Sequence, residues 1–200
     1  MGFKCGLLST VVNRINEVEI PSTHTTPDAV ALNDLLSRMH KEGCTHVFME
    51  ASSHALHQNR MTGVQVDGAI FTNLSHDHLD YHGSMQAYWS AKEALFAWPS
   101  LKAAVVNVDD AQGAALANQL SERNAQQSPS HTLQILDLWT CSRQGQSARL
   151  QARHLQRNAS GLAFEVVEGD QVLRLQTHLM GDYNVDNVLG VMAALRALQL

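Results

Sequence analysis

Between Phe71 and Gly83 the chain reads FTNLSHDHLDYHG, which sets His76, His78 and His82 beside Asp77 and Asp80 directly behind an apolar run. Imidazoles and carboxylates at this density can chelate a divalent ion or act as a general base, and an extended backbone would put His76 and His78 on one face. Zinc would need a third firm ligand. Glu50, at the end of another apolar run, offers a carboxylate, and an oxygen-rich set suits magnesium better than zinc. The plainer reading is a solvated polar loop.

Lys92 is the second residue whose type and place ask for chemistry. A helix is predicted over 84–98, with Met85, Tyr88, Trp89, Leu95 and Phe96 apolar, and Lys92 falls within that stripe four residues after Tyr88. Either the stem packs while the ammonium reaches water, or burial lowers the amine's pKa and leaves a nucleophile that can react or be modified. In STHTTPDAV (22–30), Thr25 and Thr26 precede a helix. They can cap it, or join its first amides in holding an anion. Neither GxxxxGK[ST] nor GxGxxG occurs in the sequence.

Positioning these residues requires a frame. Leu32, Leu35, Leu36 and Met39 give a helix over 27–42, between Pro27 and Gly43. Short apolar strands are expected at 45–51, 66–74 and 103–110, with a helix at 111–120 and an exposed loop at 121–130. Alternating segments over 131–180, including a hairpin at Gly169-Asp170, predict an antiparallel sheet, and a last helix covers 184–200. The fold class expected is α/β: a mostly parallel, doubly wound sheet with a small antiparallel sheet appended. Ligands in such folds gather beyond the carboxyl ends of the strands, here 50–60, 73–82 and 107–110.

Bulk properties narrow the function. With 200 residues, one domain is the default, and a net charge of −5 with scattered lysines and arginines argues against a nucleic-acid partner. Cys5, Cys44 and Cys141 are far apart and form no CxxC, so neither a disulfide framework nor a zinc-thiolate centre is expected, and a reducing cytoplasm fits. No apolar run approaches the ~20 residues of a membrane span.

Taken in order, TTPDA, MEASSHALHQNR, FTNLSHDHLDYHG with YWSAKEALF, NVDD, and GDYNVDN ahead of an alanine-rich helix resemble the Mur ligases, most nearly the branch that adds a diamino acid. The resemblance implies a partial central ATPase domain: a parallel part at 1–130, the antiparallel sheet at 131–180 and a returning helix at 181–200. The UDP-binding domain, phosphate loop and C-terminal domain would lie outside it, leaving this chain inactive by itself. It further implies ATP-dependent amide-bond synthesis for peptidoglycan precursors in the cytoplasm. UDP-MurNAc-L-Ala-D-Glu, ATP and a diamino acid (meso-diaminopimelate or L-lysine) would be the partners of an enzyme that is monomeric when complete. Glu50 and His78 match magnesium ligands, and Lys92 matches a lysine carried as an N-carbamate that holds a second magnesium; His78 and Lys92 are thus the expected catalytic residues. Thr25, Thr26, Ser52, Gln58 and Arg60 match positions that hold the UDP-muramoyl peptide. Asn184 and Asn187 match a segment near the adenine of ATP. Departures are His24 where Asn is frequent, Ala51 where Val is usual, and Tyr183 where Phe or His is expected. The alternatives are another Mur or folylpolyglutamate-type ligase, a metal-dependent hydrolase using His76, His78 and His82, and an inactive remnant.

Overall fold

The computed structural model describes residues 2–126 and 135–200. Within them the chain forms two compact units, one made of residues up to Gln65 with His78–Leu95, the other of Val66–Asp77 with Phe96–Leu200.

The first unit contains strands β1 (Cys5–Leu8), β2 (Val12–Ile15), β3 (Val18–Pro21) and β4 (His46–Met49), with helices α1 (Ala29–Lys41), α2 (Ser53–His57), α3 (Leu79–His82) and α4 (Met85–Glu93). Its sheet runs β3-β2-β1-β4. β1 and β4 are parallel, whereas β1-β2 and β2-β3 are antiparallel. Removal of apolar surface from water holds it together: Leu8, Leu32 and Met39 are fully buried, and Ala55, Leu56, Met61, Tyr88 and Ala91 join the core.

The second unit contains β5 (Gly68–Phe71), β6 (Ala103–Asn107), β7 (Asp137–Ser142), β8 (Leu150–Asn158), β9 (Gly161–Glu168) and β10 (Gln171–Thr177), with α5 (Ala111–Gln126) and α6 (Tyr183–Ala197). The order is β10-β9-β8-β7-β6-β5. Strands β5 to β8 are parallel, and β8 to β10 are antiparallel. α6 drives Val185, Leu189 and Ala193, all fully buried, into a core with Val105, Trp139, Leu150 and Phe164. The Arg149 guanidinium lies 3.4 Å from the Trp139 ring centroid, a cation–π contact. Burial lifts the Cys141 thiol to about 12, helped by Asp109 and Asp186, so this sulfur is not a thiolate at neutral pH.

The α/β class and the mostly parallel sheet agree with expectation, but four details do not. β4 pairs with β1 in a four-stranded sheet of the first unit, and the three strands before α1 were not foreseen. Four residues are too few to establish a period. The antiparallel strands are appended to the parallel ones as expected, β8 pairing with β7 over two residues and then with β9. α5 continues to Gln126, through the start of the expected loop. The remainder of that loop, and the start of the strand expected at 131, lie outside the described residues. α4 ends at Glu93, and a 3-10 turn, Ala94–Ala97, completes the predicted helix.

Gly113 allows α5 to approach β6. A Cβ there would collide with the main-chain carbonyl of Asn107 and press on Phe71. Glycine to alanine inside a helix ordinarily stabilises by about 0.8–1.0 kcal/mol. Here the sign reverses: Gly113→Ala is expected to destabilise by about 2 kcal/mol through overpacking, read from the midpoint of urea unfolding.

Candidate functional site

At the carboxyl end of β4 the chain continues through Glu50, Ala51 and Ser52 into α2. Ser52 caps that helix, its hydroxyl accepting from the Ala55 amide at 3.2 Å. Thr26, 1 % exposed, donates to the Glu50 carbonyl at 2.7 Å and accepts from the Ser52 amide at 3.1 Å. The Glu50 carboxylate is exposed and accepts from the Thr10 hydroxyl at 2.6 Å and the Thr10 amide at 3.3 Å. Thr10 in turn shares a 3.0 Å hydrogen bond with Thr25.

Neither threonine caps α1. Asp28 does, accepting from the Val30 and Ala31 amides at 3.0 Å each. The Ala31 amide, with those of Val30 and Asp28 and the Arg60 charge, keeps the Asp28 carboxyl below its usual range against a desolvation cost. The Thr26 hydroxyl, expected to hold the muramoyl peptide, donates and accepts inside the protein and is almost fully buried. Thr26 is a positioning residue. Thr25 and Ser52 stand half-buried beside Glu50's segment.

Arg60 and Gln58 form the next feature. Arg60 donates to the Thr26 carbonyl at 3.0 Å and, through Nε and Nη2, to Gln58 Oε1 at 2.9 and 2.6 Å. Gln58 donates to the Tyr81 hydroxyl at 2.8 Å. His24, Asp28, Ala29, Gln58 and Arg60 line a concavity of about 440 Å³.

Behind these residues lies a set of rings. His54 packs on Tyr81 at 4.1 Å and His78 at 5.0 Å between centroids, while His82 stacks on buried Tyr88 at 5.3 Å and meets Ser53 Oγ at 3.0 Å. His57 shares a 2.9 Å hydrogen bond with the Tyr81 hydroxyl. His78 and Lys92 flank the same aromatic: its centroid is 5.7 Å from the His78 ring and 5.3 Å from Lys92 Nζ. His78 holds φ 57, ψ 22, a left-handed conformation uncommon outside glycine. Lys92 is half-buried, between the snorkelling and the buried extremes.

Among the described residues no group of three or more His, Cys, Asp or Glu converges as a metal site. The three-histidine centre is therefore not formed: His76 is exposed and His82 turns to Ser53 and Tyr88. Sequence reasoning missed Thr10, His54, His57, Tyr81 and Tyr88. The three-residue spacing of His54 and His57 in SSHALHQNR, one helical turn, was the available signal.

In the second unit, Asn184 donates to the Met180 carbonyl at 2.7 Å and Asn187 donates to Asn184 Oδ1 at 3.2 Å. The strand end at 107–110 is satisfied internally. Asp110 accepts from the Gln112, Gly113 and Leu74 amides, and Asp109 from Ser142 Oγ and the Arg143 and Gln144 amides. Those two carboxylates therefore hold loops and helix ends in place.

Parallel strands with polar residues at their carboxyl ends define an α/β ligand-binding domain. The Mur ligase middle domain matches residues 1–195, and the chain belongs to the Mur ligase family. Its sequence is 45 % identical over 194 residues to the UDP-N-acetylmuramoyl-L-alanyl-D-glutamate--2,6-diaminopimelate ligase of Acidovorax sp. (strain JS42), covering 97 % of this chain and 36 % of that protein. The ligase of the same name from Ectopseudomonas mendocina (strain ymp) is 39 % identical over 197 residues, covering 98 % and 37 %. A solved structure of a ligase with this name superposes with a TM-score of 0.80 at 34 % identity, over 98 % of this chain and 37 % of that one. The chain thus spans little more than a third of the length of these relatives.

Two outcomes follow from this geometry. Thr26→Val leaves the Glu50 carbonyl and the Ser52 amide without their partner and is expected to cost about 1–3 kcal/mol in urea unfolding, with Thr26→Ser retaining most of the stability. Burial, then the charges of His54, His57 and His78, hold His82 below its ordinary 6.5. The unfolded chain therefore takes up that proton more readily. The stability His82 contributes is present above about pH 6.5 and is lost as pH falls through and below it. Thermal midpoints are expected to drop between about pH 8 and pH 5.5, and to drop less in His82→Phe.

Proposed function

We propose that this chain is the middle domain of an ATP-dependent ligase that joins a diamino acid to UDP-MurNAc-L-Ala-D-Glu in the cytoplasm, supplying peptidoglycan precursors. The observation that carries the reading is the polar surface of the first unit. Glu50 is presented by Thr10 at a strand end, and Gln58 and Arg60 line the neighbouring concavity. Arg60 is suited to fork onto a carboxylate or phosphate. Thr25, Ser52 and Gln58 supply further polar groups to the muramoyl peptide, while Asn184 and Asn187 serve the adenine side of ATP.

In this reading the D-glutamate carboxylate is phosphorylated by ATP, and the amine of the diamino acid attacks the resulting acyl phosphate, releasing phosphate. Glu50 and His78 would hold one magnesium and a carbamate on Lys92 a second, and these ions would neutralise phosphate charge. The carbamate forms when the neutral Lys92 amine adds to carbon dioxide and loses a proton, giving an anion in place of an ammonium. Carbamate formation would replace the cation–π contact that Lys92 Nζ makes 5.3 Å from the Tyr88 ring centroid. Water must be kept from the acyl phosphate, which hydrolyses readily. The complete enzyme acts as a monomer.

The test is a graft. Residues 1–195 replace the matching segment of the Acidovorax ligase, and magnesium-dependent, ATP-consuming attachment of diaminopimelate to the UDP-muramoyl dipeptide is measured. Activity is expected, with Glu50→Ala and Lys92→Ala each lowering it about a hundredfold, equivalent to about 2.7 kcal/mol. A carbon-13 signal from labelled bicarbonate is expected on Lys92. Undiminished turnover in Lys92→Ala would overturn the carbamate.

A further inference from the structure

We infer that His24 sets the charge of the concavity beside Arg60 and makes its hold on an anionic group, a phosphate or carboxylate, strengthen as pH falls. The inference rests on reading this concavity as part of the substrate site, and deepens it.

Three ionisable side chains line the cavity of about 440 Å³: His24, Asp28 and Arg60. Arg60 is charged at every accessible pH. Asp28 remains a carboxylate, because the first amides of α1 bind it. These amides are thereby taken, so the helix end is not what would attract an anion. With a neutral imidazole the arginine and aspartate charges cancel, and an anion gains little on entering. With an imidazolium the lining carries one net positive charge. Imidazole is the side chain whose charge changes between pH 5 and 8, so its protonation alone switches the cavity from neutral to cationic.

The segment carrying His24 is held in place. Ser22 Oγ donates to the Ser9 carbonyl at 2.7 Å and also lies 3.2 Å from the His24 carbonyl, and His24 Nδ1 is 3.2 Å from Thr23 Oγ1. Arg60 is fixed by Gln58 and the Thr26 carbonyl. The two cationic groups therefore stand on separate segments that the protein already orders, and little further ordering is needed to receive an anion.

Sulfate is the first probe, because its charge is constant between about pH 5 and pH 8, and N-acetyl-D-glutamate is the second, for the carboxylate case. Both are titrated into the chain while the His24 ring and Arg60 Nε signals are followed by NMR. At least one probe is expected to bind the wild type roughly threefold or more tightly at pH 6 than at pH 8, the size of one added charge several ångströms away in a wet site. By reciprocity the same probe raises the midpoint of the His24 titration. His24→Asn, which keeps a donor but cannot titrate, should bind equally at both pH values, and Arg60→Ala should bind weakly at both. The inference is overturned if neither probe binds at pH 6, or if His24→Asn keeps the wild-type pH ratio. Titration with the UDP-muramoyl dipeptide separates the two ideas. Its failure to bind where a simple anion binds with the stated pH dependence would remove the substrate assignment and leave the charge switch standing.

Discussion

The hydroxyl of Thr26 donates to one main-chain group at the end of β4 and accepts from another two residues on, with almost none of its surface in contact with water. A buried polar atom of this kind is costly unless both its capacities are met, which fixes the segment before α1 against the strand end with little freedom to slide. The polar groups of the first unit inherit their places from that junction. Thr25 is brought to Thr10, Thr10 to the Glu50 carboxylate, and Arg60 to the carbonyl of Thr26 itself. The Glu50 carboxylate and the Arg60 guanidinium are thus both tied to the segment that Thr26 anchors.

The acidic residues divide by task. Asp28, Asp109 and Asp110 accept main-chain amides and fasten helix ends and loops. Asp182 and Asp186 meet arginines: Arg143 forks onto Asp186 at 3.0 and 3.2 Å, and Arg157 bonds Asp182 at 2.7 Å. These contacts hold the Asp182 carboxyl low, chiefly through the Arg157 hydrogen bond, and raise the Arg143 guanidinium, chiefly through Asp186. Glu50 is bound by one hydroxyl and one amide, both from Thr10. A carboxylate in that state retains lone pairs for a hard cation, whereas Asp109 and Asp110 have three donors each already in place.

How far the sequence disclosed this depended on the range of the physics involved. α1 was readable because Leu32 and Met39 stand two helical turns apart, and its true start lies at Ala29, one residue after the Asp28 cap. Lys92 stood out because a charge among apolar neighbours is a local anomaly. The pairing of β4 with β1 was not readable, since a strand's partner is chosen by contacts 40 residues away in the chain, as Gly6 opposite Val47 illustrates. Thr10 escaped notice for the same reason: nothing near it in sequence shows that its hydroxyl meets Glu50. The carboxylates of NVDD looked available because donors such as the Leu74 amide come from elsewhere in the chain.

His78 occupies a backbone region that glycine enters freely, asparagine and aspartate tolerate, and most other residues resist. Selection at this position consequently acts on two properties at once, the imidazole and the handedness of the main chain. A lineage that lost the need for the ring would still retain a narrow set of residues here, with asparagine and glycine as its natural successors. Invariance at 78 across homologues would thus overstate the chemical demand on the ring, and an asparagine found there would mark relaxed chemistry on a preserved turn.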